Sequence, residues 1–194
     1  MRTETALPGV CLIASETRND ARGAFLETYH QEKFAALGIH DAFVQDNMSI
    51  SVRHTLRGLH AQIRRPQAKL CCVLKGEVLD VVADIRRGSP TFGRWVSTVL
   101  SGKNSVQVYV PAGFAHGFLV LSESAVFFYK CSDFYDAADE IGVAWNDSQL
   151  KIDWGVEQPL LSEKDATLPH LREIPPERLP RYERGRISAP VAGR

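Results

Sequence analysis

The chain is expected to be all-β, two sheets packed face to face as a jelly roll, and three features of the sequence point there. Over much of residues 43 to 130, apolar side chains recur at every second position, the period of a strand and not of a helix. Clusters of turn-forming residues interrupt that pattern roughly every ten residues. Within or upstream of this region only HQEKFAALG, residues 30 to 38, reads as a helix. Many short strands with few helices build a sandwich or a barrel.

Individual segments bear this out. In LDVVADI, Leu79, Val81, Ala83 and Ile85 alternate with Asp80, Val82 and Asp84; in SVQVYV, Val106, Val108 and Val110 alternate with Ser105, Gln107 and Tyr109. Both are expected as strands with one buried and one wet face. Lys75-Gly76-Glu77, Arg87-Gly88-Ser89-Pro90, Ser101-Gly102-Lys103-Asn104, Pro111-Ala112-Gly113 and Ser122-Glu123-Ser124 supply the turns. From Leu171 the composition changes to four prolines and six arginines in 24 residues. The expected organisation is therefore one domain over 1–170 and a Pro/Arg-rich tail over 171–194 that wraps a surface or is partly disordered.

With 44% hydrophobic and 24% charged residues in 194, the chain has the balance of a globular protein with a sizeable core. Lys plus Arg and Asp plus Glu both number 23, so no global field would draw it to nucleic acid or an anionic membrane. The start, MRTETALPGVCLIASE, has Glu4, Pro8 and only a brief apolar run, unlike a signal peptide. No apolar stretch approaches the roughly 20 residues of a membrane helix, and the expected location is cytoplasmic. Cys11, Cys71, Cys72 and Cys131 form no CxxC pair and are expected as buried thiols.

Three segments carry polar side chains amid apolar ones. In TLRGLHAQ, strict alternation would send Arg57 and His60 to opposite faces, and Gly58 between them is placed to host a bulge that re-aims one of them. VPAGFAHGF carries His116. In FFYKCSDFY, residues Tyr129, Cys131, Asp133 and Tyr135 share parity, so that one strand face would present two phenols. Taken alone, each of these residues is open to a packing role as much as to chemistry. No HxH occurs among the six histidines, which disfavours the metal set of a metal-binding β-barrel. GxGxxG, Walker and GxSxG motifs are also absent.

In order along the chain, DARGAFLETY, FVQDNMSIS, LRGLHAQ, QAKL, GEVLDVVADIRRGSPTFGRW, VPAGFAHGFLVLSE, FFYKCSDFY, WND and LSEKDA resemble the dTDP-4-dehydrorhamnose 3,5-epimerase family over residues 1 to about 171. The resemblance implies a cupin-type jelly roll, a homodimer, and catalysis without metal or organic cofactor. It implies a nucleotide-sugar substrate, dTDP-4-dehydro-6-deoxy-D-glucose, converted to dTDP-4-dehydro-L-rhamnose by inversion of the two carbons flanking a ketone. Carried over motif by motif, the base falls on His60, its supporting carboxylate on Asp165, the proton donor on Tyr129, and the cation beside the enolate on Lys69. The substrate-binding set falls on Arg22, Glu27, Gln45, Asp46, Asn47, Arg57, His116, Tyr135, Glu140 and Lys164. Ala61 departs from the aromatic residue that often follows the base, Phe134-Tyr135 departs from the usual tyrosine pair, and the tail is longer. A single-carbon epimerase acting on another 4-keto sugar and a catalytically silent sugar-nucleotide binder stay as alternatives.

The residue types suit that chemistry. Removing a hydrogen next to a ketone leaves an enolate, so a site needs a base and a place for the charge on oxygen. A neutral imidazole suits the first task and a fixed ammonium the second. Inversion further needs a donor on the opposite face, which a phenol supplies, while Arg57 and Arg22 suit the diphosphate.

Overall fold

The computed structural model describes residues 1–183. Thirteen strands dominate it. The first four are β1 (Arg2–Glu4), β2 (Cys11–Ala14), β3 (Thr17–Asp20) and β4 (Gly23–Leu26), followed by helix α1 (Gln31–Ala36). Then come β5 (Gln45–Val52), β6 (Leu56–Gln62), β7 (Lys69–Lys75), β8 (Glu77–Asp84), β9 (Trp95–Ser101) and β10 (Val106–Val110). β11 (Phe114–Val120), β12 (Ser124–Cys131), β13 (Glu140–Gly142) and the single-turn α2 (Glu163–Ala166) complete the set, with 3-10 turns at Leu171–Glu173 and Pro176–Arg178. No helix among the described residues is long and apolar enough to cross a membrane.

The strands form a six-stranded sheet, in the order β1-β2-β10-β7-β12-β5, and a five-stranded sheet, β13-β6-β11-β8-β9, with β3-β4 as a separate ribbon. All of these pairings are antiparallel. This is the expected jelly roll. Between the sheets Val73, Val78, Val82, Val108, Phe118 and Phe127 pack into one core. The centre of that core is aromatic: Phe118 and Phe127 stack with centroids 4.1 Å apart.

Two further layers change the reading of individual strands. The outer face of the five-stranded sheet, with Leu59, Val81, Ala83 and Ile85, is covered by Trp154, Leu171, Ile174 and Leu179. β8 is therefore buried on both faces, and Asp80 and Asp84 do not point to water as alternation suggested; they are 1% and 0% exposed. Asp84 accepts from Arg86, Ser89 and Thr91, which is how a carboxylate tolerates a core, while Asp80 is bonded to His116 through Oδ2 and its Oδ1 has no hydrogen-bond partner among the described residues. β10 is likewise buried on both faces, because α1 and the segment after it cover Tyr109 with Phe34 and Ile39.

The expected boundary between 170 and 171 falls inside packed structure. Leu171, Ile174 and Leu179 are core residues, and Arg87 exchanges backbone hydrogen bonds with Pro180 and Tyr182. Composition alone suggested a tail; its apolar residues, spaced among prolines, are what fill the outer layer. The remainder, 184–194, lies outside the described residues. All four cysteines are buried and free.

Candidate active site

A cleft of about 440 Å³ opens between the sheets at the β5 and β6-β13 edges. Its walls come from both sheets, and its rim from the loop after β12 and from α2. The local geometry of β6 determines what reaches it. Arg57 pairs with Phe118 and His60 with His116, so three steps along β6 match two along β11. One residue is bulged, and Arg57 and His60 both turn into the cleft.

Gly58 makes this possible. Its φ of +111° is a conformation that side chains rarely adopt, and a Cβ there would lie 2.7 Å from both the Gly117 Cα and the His116 carbonyl oxygen. Its backbone N–H also points toward the Asp165 carboxylate, 3.4 Å away. The bulge therefore helps seat both the histidine and its partner.

His60 Nε2 lies 2.7 Å from Asp165 Oδ1. Asp165 sits in α2, where the Ser162 hydroxyl accepts its backbone N–H and caps the turn. Burial raises the Asp165 carboxyl, but hydrogen bonds from His60 and Gly58 outweigh that and hold it below the ordinary carboxylate value. An ionised Asp165 fixes one imidazole nitrogen and leaves Nδ1 to face the cleft.

Tyr129 comes from the opposite sheet. On β12 it sits between Asn47 of β5 and Cys71 of β7, and burial pushes its phenol up to about 12. It is therefore a neutral O–H at any ordinary pH. Lys69 lies on the neighbouring strand with Nζ 5.9 Å from the Tyr129 ring centre. His116 also lines the cleft and bonds through Nε2 to the buried Asp80 at 2.8 Å.

The rest of the expected set divides in two. Gln45, Asn47, Tyr135, Glu140 and Lys164 line the same cleft. Gln45 Nε2 donates to Asn47, and its Oε1 accepts the Tyr135 N–H at 2.9 Å, so β5 helps hold the loop that carries Tyr135. That loop begins after Cys131, so Tyr135 does not extend the β12 face as its parity suggested.

Arg22, Glu27 and Asp46 do not line the cleft of this chain. Arg22 lies at the β3-β4 turn, exposed and paired with Asp20. Glu27 bonds Lys33 at 2.7 Å. Asp46 alternates to the outer face of β5, where Lys130 donates to it at 2.7 and 2.8 Å.

Several lining residues were not anticipated. Ser49, which follows Gln45 and Asn47 at the same parity, is one, and Ser51, next in that row but not in the cleft lining, accepts a hydrogen bond from Arg57 Nε. The period of two in FVQDNMSIS already holds that signal. Asp80, the partner of His116 behind the cleft wall, lies 36 residues from it, and no local pattern links them. Among the described residues, no three His, Cys, Asp or Glu side chains converge as a metal-binding group.

Comparison with known proteins follows this geometry. Residues 4–173 match the family model described as dTDP-4-dehydrorhamnose 3,5-epimerase. A Pseudomonas aeruginosa protein of that name is 53% identical over 165 residues, covering 84% of this chain and 91% of its own. A crystal structure of a Legionella pneumophila dTDP-6-deoxy-D-glucose-3,5-epimerase in complex with dTDP-4-keto-L-rhamnose is 48% identical. It superposes with a TM-score of 0.92, over 94% of this chain and 98% of that one. A Streptomyces niveus protein named dTDP-4-dehydrorhamnose 3-epimerase is 43% identical, over 82% of this chain and 78% of its own.

Proposed function

The chain belongs to the dTDP-4-dehydrorhamnose 3,5-epimerase family, and on that footing we propose that it converts dTDP-4-dehydro-6-deoxy-D-glucose to dTDP-4-dehydro-L-rhamnose without metal or organic cofactor. The observation that carries this reading is that His60 and Tyr129 enter one cleft from opposite sheets. A base and a donor on the same side would return the proton to the face it left. Facing each other, they invert the carbon between them.

In this mechanism His60 Nδ1 removes the hydrogen next to the ketone, and Asp165 at Nε2 stabilises the resulting imidazolium. The Lys69 ammonium, with His116 nearby, stabilises the enolate oxygen. The Tyr129 phenol then protonates the carbon from the other side. Arg57, held by Ser51, binds the diphosphate, and the polar row of β5 binds the nucleoside part. A second reading, inversion of one carbon only, is favoured by the likeness to the Streptomyces niveus 3-epimerase. A silent binder is disfavoured, since binding alone needs neither base nor donor.

The protein further acts as a homodimer. Met48, Ile50 and Val52 stand exposed along β5, an edge strand of the six-stranded sheet among the described residues. Such an edge favours pairing with a second copy. Arg22 and Glu27, both away from their own cleft, reach substrate in this scheme only from that second copy.

The direct test is proton NMR of the proposed substrate with the protein in deuterated water. Deuterium entering both flanking carbons supports the 3,5-epimerase, entry at one carbon the single-carbon enzyme, and no entry rejects both. His60→Asn abolishes entry at both carbons while dTDP binding, measured by calorimetry, persists. Retained exchange in that variant would remove His60 from the role of base.

A further inference from the structure

His60 lies between two carboxylates. Asp165 takes Nε2 at 2.7 Å, and Glu140 faces the other nitrogen, with Oε1 3.8 Å from Nδ1. That separation is too long for a hydrogen bond but suits an ion pair that closes once Nδ1 carries a proton. Glu140 stands on β13 beside Gln62, two residues before Gly142, which pairs with His60. Its carboxylate is mostly enclosed in the cleft wall. Its other oxygen, Oε2, pairs with the Lys164 ammonium and accepts from the Tyr135 hydroxyl at 3.4 Å. Tyr135 is half exposed at the cleft rim. The groups thus run in series from the base nitrogen to water.

The reaction proposed above creates a need for such a series. One inversion moves a proton onto His60 and takes one from Tyr129, leaving an imidazolium and a phenolate. A second inversion on the same bound molecule requires neutral imidazole and neutral phenol again. The buried phenolate, whose phenol is pushed up to about 12, readily takes a proton from water. The imidazolium, clamped by Asp165 and covered by the sugar, needs an outlet.

We propose that Glu140 is the proton outlet of His60, and that it sets how many carbons are inverted in one binding event. The Nδ1 proton passes to Glu140 Oε1, restoring neutral imidazole and giving a carboxylic acid. The carboxylic acid then turns its O–H to the Tyr135 oxygen, and the Tyr135 hydroxyl, which donates to Oε2 at rest, turns outward and releases its own proton to water at the rim. Water returns one proton to the Tyr129 phenolate, so that no net charge or proton is gained. Glu140 acts through His60 and is in that sense a positioning and relay residue.

This inference rests on the proposed epimerisation, and the test separates the two. With enzyme in excess over dTDP-4-dehydro-6-deoxyglucose in deuterated water, quenched product is scored for one or two deuterium labels. In Glu140→Gln the ratio of doubly to singly labelled product falls about tenfold or more, the scale of a lost proton-transfer group. Added formate restores the ratio in a concentration-dependent way, as a small acceptor replaces the carboxylate, and Glu140→Asp gives an intermediate ratio. Tyr135→Phe, which breaks the next link, shifts the ratio in the same direction. Calorimetry with dTDP verifies that each variant is folded and binds. An unchanged ratio in Glu140→Gln overturns the proposal, as does an equal loss of both labels with no response to formate. Absence of label at both carbons with wild-type protein rejects the epimerase reading itself.

Discussion

At the scale of single residues, the site works by setting ionisation states in advance. Tyr129, the proposed donor, is buried, and burial pushes its phenol up to about 12, so that it stays protonated well beyond neutral pH. Tyr129→Phe is expected to slow inversion by about 10²–10⁴-fold while removal of the substrate hydrogen suffers less. Comparing deuterium wash-in with product formation reads the two separately, and equal loss would argue against the donor role. Asp165 behaves in the opposite sense. Its carboxyl lies below its ordinary value when folded, so its contribution to stability is complete above an unfolded value of about 3.9 and is lost as pH falls through the lower folded value. Thermal unfolding of wild type and Asp165→Asn is therefore expected to differ at neutral pH and to converge in acid. A difference that persists at low pH would mean that ionisation of Asp165 is not its source.

At the scale of elements, the bulge in β6 is the feature on which the site depends. Without the extra residue, alternation would place Arg57 or His60 outside the cleft. Gly58→Ala must place a side chain at φ +111° and 2.7 Å from the Gly117 Cα. The backbone conformation alone costs about 1–3 kcal/mol, and the contact adds to it. Denaturant unfolding is expected to show a loss of that size or more, with turnover falling further than stability because His60 and Asp165 both shift. An alanine variant as stable and active as wild type would show that the bulge does not need glycine. The sequence signal was present here: a glycine between two polar residues in a strand. Local pattern says nothing of Asp165 on α2, which the family resemblance pairs with His60 and which arrives from 105 positions away.

At the scale of the molecule, the two sheets are covered unequally. The outer face of the five-stranded sheet is roofed by the segments around Trp154 and Leu171 to Leu179, and α1 covers the β2-β10-β7 half of the other sheet. The β12-β5 half is left with Met48, Ile50, Val52 and, on β7, Leu74 exposed. Ile50, 70% exposed, is the most open of these. Ile50→Glu is expected to convert the proposed dimer to monomer in sedimentation velocity. Its monomer fold should change by no more than about 0.5 kcal/mol, as for other surface substitutions. A variant that stays dimeric would place the interface elsewhere.

By itself the sequence determined the class of the fold and most of the chemistry lining the cleft. Strand periodicity and turn residues are local properties, and the quoted motifs lie within strands or at their ends, so both can be read along the chain. Local pattern also placed Gln45 and Asn47 on one face of β5, with Ser49 following them. Tertiary structure decided which faces were wet. Asp80 and Asp84 had the parity of solvent-facing residues and became core residues, because burial depends on what covers a strand and not on the strand. It also decided partners: Asp80 for His116 and Glu140 for His60, each joined by the meeting of distant segments. Arg22, Glu27 and Asp46 lie off the cleft of their own chain, a placement that only the packed chain shows, since a motif specifies chemistry and not position.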